Sequence, residues 1–326
     1  MKEGNGQFSE ASCGNFNLQS STAICGGCVH FGVMYPGDET SMTIDALDEW
    51  IDAVGSLGFA HVVFGDHVVG VDPSVAASDW DRQWPGPDRS SAYTVRNVFR
   101  EPLVLFGYLA ARCDMELVTG ILNLPARQTV IVAKQAAEVD ILSRGRLRLG
   151  IGLGWNPLEF EALGSPFAGR GELAEEQINL LRKLWTESAV TFKGRFHTLN
   201  GVGIQELPPQ RPIPLWIGGE SRRALDRAAR CGDGIILSGR SVPDEDFERA
   251  LIALRLQLAE YGRDSESFGV EPRLILSDKS TEECRAIVAR WAALGATHLC
   301  LDTRYAGHEQ MNEHIAALRN VASWLL

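Results

Sequence analysis

LVTGILNLPARQTVIVAKQAAEVDILSRGRLRLGIGLGWNPLEFEALG, residues Leu117 to Gly164, holds two apolar runs that each end in glycine, with a helical pattern between them. Val130, Ala133, Ala137 and Ile141 recur at intervals of three and four, which predicts an amphipathic helix over Thr129 to Leu142. A strand, helix, strand unit of this length requires parallel pairing. Functional groups of such units gather where the strands end, so LNLP and GLGWN are expected on one rim.

The same unit recurs outward along the chain. Apolar runs followed by helical patterns occupy Val29 to Pro36, His61 to His67, Glu116 to Leu124, Leu147 to Gly154, Pro214 to Gly219, Gly234 to Gly239, Glu271 to Ser277 and Thr297 to Thr303. Gly58, Gly145, Gly232 and Gly295 precede strands, where a left-handed C-cap turns the chain into the sheet. Ser280 and Glu283 have capping-box spacing, and Pro243 after Ser241 suits an early helical turn. Eight alternations predict an α/β fold of the (β/α)8 TIM-barrel type with insertion loops, a single domain over residues 29–326. Residues 1–28, rich in Gly, Ser and Asn, are expected to be a flexible arm.

A net charge of -11 provides no electrostatic footprint for nucleic acid. No apolar run approaches the roughly 18 residues of a membrane span, and Met1 to Cys28 lacks a hydrophobic signal core. The expectation is a cytoplasmic protein acting on a small molecule, without nucleic-acid or membrane partners. Cys25 and Cys28 form CGGC, a spacing open to half a zinc site or a redox pair, but no second ligand pair follows. Cys113, Cys231, Cys284 and Cys300 fall in helical or strand patterns and read as small core residues.

Two segments exceed ordinary connector length. Val68 to Arg100 reads as an active-site loop whose Trp80, Trp84 and Tyr93 either line a substrate pocket or pin the loop to the barrel. Glu187 to Ile213 alternates like a small hairpin and then turns proline-rich.

At the strand ends no metal-ligand cluster accumulates, and no Ser or Cys stands in a nucleophile elbow. No metal site is expected. Glycine and hydrogen-bonding groups gather there instead: Asp66 and His67, then Asn123, then GLGWN with Gly154, Trp155 and Asn156, then GGES, then LSGR. Gly218 and Gly219 open a helix through Ser221, a natural phosphate site. A phosphate-bearing cofactor across the barrel mouth fits this distribution.

These residues resemble the bacterial luciferase-like superfamily of flavin and deazaflavin oxidoreductases, and most closely its coenzyme F420-using branch. The resemblance rests on GFAHVVFGDH, LVTGILNLP, AKQAAEVDILSRGRLRLGIGLGWNPLEFEALGSPF, LLRKLWTE and PIPLWIGGESRRALDRAARCGDGIILSG, in family order. It implies that Asp66 and His67 bond the cofactor ring, with His67 at the reaction centre, and that a cis peptide joins Gly120 and Ile121 behind the ring. It further implies that Asn123, Gly154, Trp155 and Asn156 line ring and ribityl chain, and that Gly218, Gly219 and Ser221 hold the phosphate. Trp155 stands where sugar-phosphate-oxidising members carry glutamate, so that reaction is not expected. Arg240 occupies a basic position that meets a substrate phosphate in such members; its alternative reading is a solvated rim arginine. The structural alternatives for the central pair are a loop cap at Asp66 and an interior histidine at His67.

The resulting expectation is F420-dependent hydride transfer to or from a small organic substrate, with reduction of an activated C=C or C=O bond favoured. His67 and Asp66 are the catalytic candidates. The alternatives are an FMN-dependent luciferase-like monooxygenase and a non-catalytic flavin-binding homologue. Helix Glu101 to Arg112 is apolar around much of its circumference, through Leu103, Val104, Leu105, Phe106, Tyr108 and Leu109. With the resemblance to a dimeric superfamily, it predicts a homodimer across that helix and its neighbour.

Overall fold

A computed structural model describes residues 21–24, 27–37, 43–72, 94–237, 239 and 242–326. Strand β1 (Ser21–Ile24) pairs antiparallel with β2 (Gly27–Met34), so part of the stretch expected to be an arm is sheet. The other seven strands of the barrel are β3 (His61–Phe64), β4 (Glu116–Thr119), β6 (Leu147–Gly152), β9 (Leu215–Gly218), β10 (Gly234–Leu237), β11 (Gly269–Ile275) and β12 (His298–Asp302), with the short β5 (Leu122–Asn123) beside β6. All eight pair in parallel, and β2 bonds to both β3 and β12, which closes the barrel.

Helices α1 (Ile44–Ser56), α2 (Pro102–Leu109), α3 (Thr129–Leu142), α4 (Pro157–Ala162), α5 (Arg170–Thr186), α6 (Arg222–Cys231), α7 (Glu245–Glu260), α8 (Thr281–Ala293) and α9 (Met311–Leu325) follow the strands. Trp50, Trp185 and Trp291 are among the largest side chains sealed in the apolar core. Three expectations need correction. The buried stripe of α3 runs through Val132, Ala133, Ala136, Ala137 and Asp140, rotated by one residue, while Val130 and Ile141 are only half-buried. Trp185 donates to the Ala133 carbonyl at 3.0 Å, and Asp140 accepts from the Gln210 amide at 2.9 Å, which together set that rotation. Gly58, Gly145 and Gly295 are left-handed as expected, but Gly232 is extended with φ near -92°. Close approach requires glycine there, since a Cβ would lie 2.7 Å from Ile217. Asp244 caps α7 by accepting from the Phe247 amide at 2.8 Å, so Pro243 precedes the cap instead of following it.

The capping box at Ser280 and Glu283 is present. Strands β7 (Val190–Lys193) and β8 (Thr198–Val202) form the expected hairpin, whose turn packs on α5: Glu176 accepts from the amides of Arg195, Phe196 and His197 at 2.6, 2.9 and 2.7 Å.

Inside the barrel, side chains alternate in layers. The lowest is charged: Arg148 pairs with Glu116 at 2.9 Å and with Glu271, which also meets His61 at 2.6 Å. Above it Val63, Val118, Trp216, Ile236 and Cys300 form an apolar layer. Higher still come Gly120, Gly152 and Gly218, so the upper floor is largely backbone. A Cβ at these positions would lie 2.2 Å from Val63, 1.7 Å from Ile121 and 2.5 Å from Ile121 respectively. Burial pushes the thiols of Cys113, Cys231, Cys284 and Cys300 up, as suits packing residues. Cys25 lies outside the described residues. Among the described residues no cluster suits a metal ion, and no helix is long and apolar enough to cross a membrane.

Candidate active site

A cleft of about 930 Å³ opens at the C-terminal ends of the strands, above the glycine floor. The turn after β3 delivers Asp66 and His67 to it, and the two diverge. Asp66 is buried, with both oxygens engaged: Oδ1 accepts from Arg127 Nη2 at 2.7 Å, and Oδ2 from Arg127 Nε at 3.3 Å and the Asn123 amide at 3.0 Å. Burial pushes its carboxyl up, and the Arg127 charge opposes this. Asp66 thus ties the β3 turn to β5 and Arg127, which bridges onward to Glu101 at 2.8 Å. These bonds give it a structural role, and it also lines the cleft.

His67 does face the cleft. Its ring packs edge-on against Phe99 at 4.9 Å and Trp155 at 6.1 Å. Behind it stands Glu159 of α4, fully buried, with Oε2 3.4 Å from His67 Nδ1. The same carboxylate accepts from the Val68 amide at 2.6 Å and from Asn123 Nδ2 at 3.2 Å.

Ile121, joined to Gly120 by a cis peptide, fills the space over Gly152 and Gly218 and forms the apolar seat of the cleft. Asn123, Gly154 and Trp155 line the same wall. Gly154 is left-handed, and its carbonyl accepts from Arg170 Nε at 3.1 Å. Asn156 does not join them: it is fully buried and caps α4 by accepting from the Leu158 amide at 3.0 Å. A residue before a proline at N1 is well placed for that task.

Gly218, Gly219 and Ser221 lie together at the far end of the cleft, at the start of α6. Their division of labour differs from expectation. Gly219 donates its amide to the Ile236 carbonyl at 3.1 Å, and Gly218 belongs to the β9–β10 ladder. Ser221 caps Ala224. The first amides of this helix, those of Arg222 and Arg223, lie outside its ladder of intrahelical bonds, beside the exposed Arg223 side chain.

Trp80, Trp84, Tyr93 and Arg240 lie outside the described residues. Sequence reasoning missed Arg127, Glu159, Arg170, Arg273, Asp302 and Arg304. Glu159 carried a faint signal, a carboxylate three residues after the Asn-Pro start of a helix. The arginines carried none, because an isolated basic residue reads as solvated.

The sequence profile of the luciferase-like monooxygenases matches residues 27–323, nearly the whole described barrel. The chain belongs to the luciferase-like monooxygenase family. Its similarity to the FMNH2-dependent dimethylsulfone monooxygenase of Pseudomonas putida is 31% identity over 204 residues, covering 61% of this chain and 55% of the relative. A pyrimidine monooxygenase of Allorhizobium ampelinum is 28% identical over 211 residues, covering 62% of this chain and 54% of the relative. The luciferase-like chain thus spans about half the length of these curated relatives. Among solved structures, a monooxygenase from Streptomyces bottropensis superposes with a TM-score of 0.71 at 19% identity, covering 91% of this chain and 98% of the other. The F420-dependent tetrahydromethanopterin reductase of Methanopyrus kandleri gives 0.68 at 14% identity, covering 90% and 97%. Both likenesses show the fold.

Proposed function

We propose that this luciferase-like chain is a monooxygenase that binds reduced FMN and oxidises a small organic molecule in the cleft. The observation that carries this reading is the cleft of about 930 Å³ at the strand ends, where Ile121 offers a seat for a planar ring and the start of α6 lies at the far end for a phosphate. The FMNH2-dependent relatives at 31% and 32% identity support it. F420-dependent hydride transfer is the second reading, favoured by the ordered run of motifs from GFAHVVFGDH to GDGIILSG.

A planar ring fits over Ile121, whose side chain packs on Gly152 and Gly218, positions where any Cβ would collide with it. A phosphate fits the start of α6. Reduced FMN supplies two-electron chemistry with oxygen when bound. The remaining steps belong to the chain. Ile121, Leu153 and Trp155 exclude water from the ring seat. The amides of Arg222 and Arg223, with the Arg223 guanidinium, bind the phosphate. Glu159 orients His67 through Nδ1, leaving Nε2 to hold or deliver a proton at the reacting atoms.

Titration of apoprotein with FMN and with F420, followed by fluorescence, tests the cofactor. Tighter FMN binding is expected. Tighter F420 binding would transfer the reaction to the deazaflavin reading.

A further inference from the structure

The starts of α5 and α6 both border the far end of the cleft, the first through Gly169, Arg170 and Gly171 and the second through Ser221, Arg223 and Ala224. Helix α5 opens at a left-handed Gly169 without a side-chain cap, and its first amides, those of Arg170 and Gly171, lie outside its ladder of intrahelical bonds. Both helix starts therefore favour negative charge at this end.

Arg227 of α6 lies between them. Long side chains on a helix lean toward its N-terminus, so Arg227 reaches back over the turn that carries Ser221 and Ala224. Its guanidinium arrives beside the first turn of α5, where a Cβ at Gly171 would lie 3.0 Å from Nη2. Nε donates to Glu175 Oε1 at 3.1 Å, one turn further along α5. The same carboxylate accepts from Arg230, Nη1 at 2.8 Å and Nη2 at 2.9 Å. Glu175 is thus shared, and it holds Arg227 by one corner, which fixes the direction of the fork. Nη1 and Nη2 of Arg227 make no hydrogen bond among the described residues. The residue is only 8% exposed, and it lines the cleft. Donors of a buried fork are costly to leave unmet, and the cleft is where an acceptor reaches them. Arg170 differs, because its Nε and Nη1 are given to the carbonyls of Gly154 and Phe167 at 3.1 and 3.0 Å.

We propose that Arg227 is the residue by which the cleft selects a phosphorylated cofactor, with the phosphate seated between the starts of α5 and α6 and accepting from Nη1 and Nη2. This rests on the reading that the cleft binds FMN with its phosphate at the start of α6. A guanidinium fork matches two phosphate oxygens at once. The exposed Arg223 adds an attraction that salt screens, whereas the buried Arg227 adds paired hydrogen bonds that salt leaves largely intact.

Fluorescence titration of the apoprotein with FMN and with riboflavin, at about 0.1 M and about 1 M KCl, gives an affinity ratio that isolates the phosphate. Arg227→Met is expected to lower the FMN-to-riboflavin ratio about tenfold or more at both salt concentrations, with riboflavin affinity kept within about threefold. Arg227→Lys should restore part of the ratio, since the charge survives and the fork does not. Gly171→Val should lower it about threefold or more by displacing the fork with its charge intact, and it keeps the test open if Arg227→Met does not fold. An unchanged ratio in either folded variant would overturn the assignment. So would equal loss of both ligands, equal binding of both by the unaltered protein, or a loss confined to low salt, which a screened surface charge would explain. If the unaltered protein takes up neither flavin, the cofactor reading fails instead. Calorimetric titration of the apoprotein with phenyl phosphate then judges Arg227 alone: binding that Arg227→Met abolishes would support the anchor, and no binding, or binding that survives the change, would end it.

Discussion

Glu159 on α4 stands 3.4 Å behind Nδ1 of His67, and its other contacts leave it little freedom to move away. A carboxylate in that place favours the proton on Nδ1 and turns Nε2 toward the cleft. His67→Ala is accordingly expected to keep cofactor affinity within roughly tenfold while turnover falls about 10²-fold or more, the usual contribution of a positioned acid or base. Cofactor titration and single-turnover kinetics on the same variant check this. Wild-type turnover would remove His67 from the chemistry.

Glu159→Gln separates orientation from packing. It keeps the side-chain volume and an acceptor for the Val68 amide but discharges the group beside His67. The ¹⁵N shifts of the His67 ring should move toward the Nε2-protonated tautomer, with kcat lowered more than KM. Glu159→Ala strands the Val68 amide and Asn123 Nδ2, and should cost about 2–4 kcal/mol in urea unfolding.

At the far end of the cleft, the start of α6 should distinguish FMN from riboflavin. Arg223→Ala is expected to weaken FMN binding about tenfold and leave riboflavin binding unchanged, since only the phosphate meets that charge. Parallel loss of both ligands would place the phosphate elsewhere.

Acid should weaken the barrel in two windows. Burial and the charges of Arg148 and His61 hold His298 well below its ordinary value, so it stays neutral in the fold while the unfolded chain takes up a proton below about pH 6.5. Stability is lost as pH falls through that range, by up to about 1.4 kcal/mol per pH unit for this group. Glu271 is held low, burial being outweighed by Arg148 and His61, and its contribution is present above about pH 4 and lost on further acidification. Urea melts between about pH 8 and pH 2 check both windows, and His298→Gln should flatten the upper one.

Leu103, Leu105, Phe106 and Leu109 of α2 are buried in the barrel's own core, which leaves less apolar surface on this helix than its sequence promised. Val104 at 70% exposure and Tyr108 at 40% remain outside, accompanied on α3 by Ile131 at 55% and Leu142 at 51%. A homodimer across α2 and α3 is the expected state, and Val104→Asp should convert it to monomer by light scattering. A monomeric parent protein at micromolar concentration would refute it.

All eight barrel strands were legible because apolar runs broken by glycine are local signals. The α3 face was misread by one position, since its alanines support two adjacent stripes almost equally. The place of Gly154 and Gly218 on the cleft wall was also legible, through the glycines themselves. What the sequence hid was pairing at a distance. Arg127 lies 61 residues from Asp66 and Arg148 lies 123 from Glu271, so only the closed barrel reveals that these charges are internal. The same distance concealed the bond from Gly219 to Ile236 that redirects the phosphate turn.

The floor of the cleft, made of Gly120, Gly152 and Gly218 under Ile121, separates two design problems. Because the seat is Ile121 packed on glycine backbone, exchanges on β11 or β12 can reshape what lies above it without disturbing the seat. A programme to redirect the cleft toward new ligands would hold those three glycines constant and diversify β11 and β12.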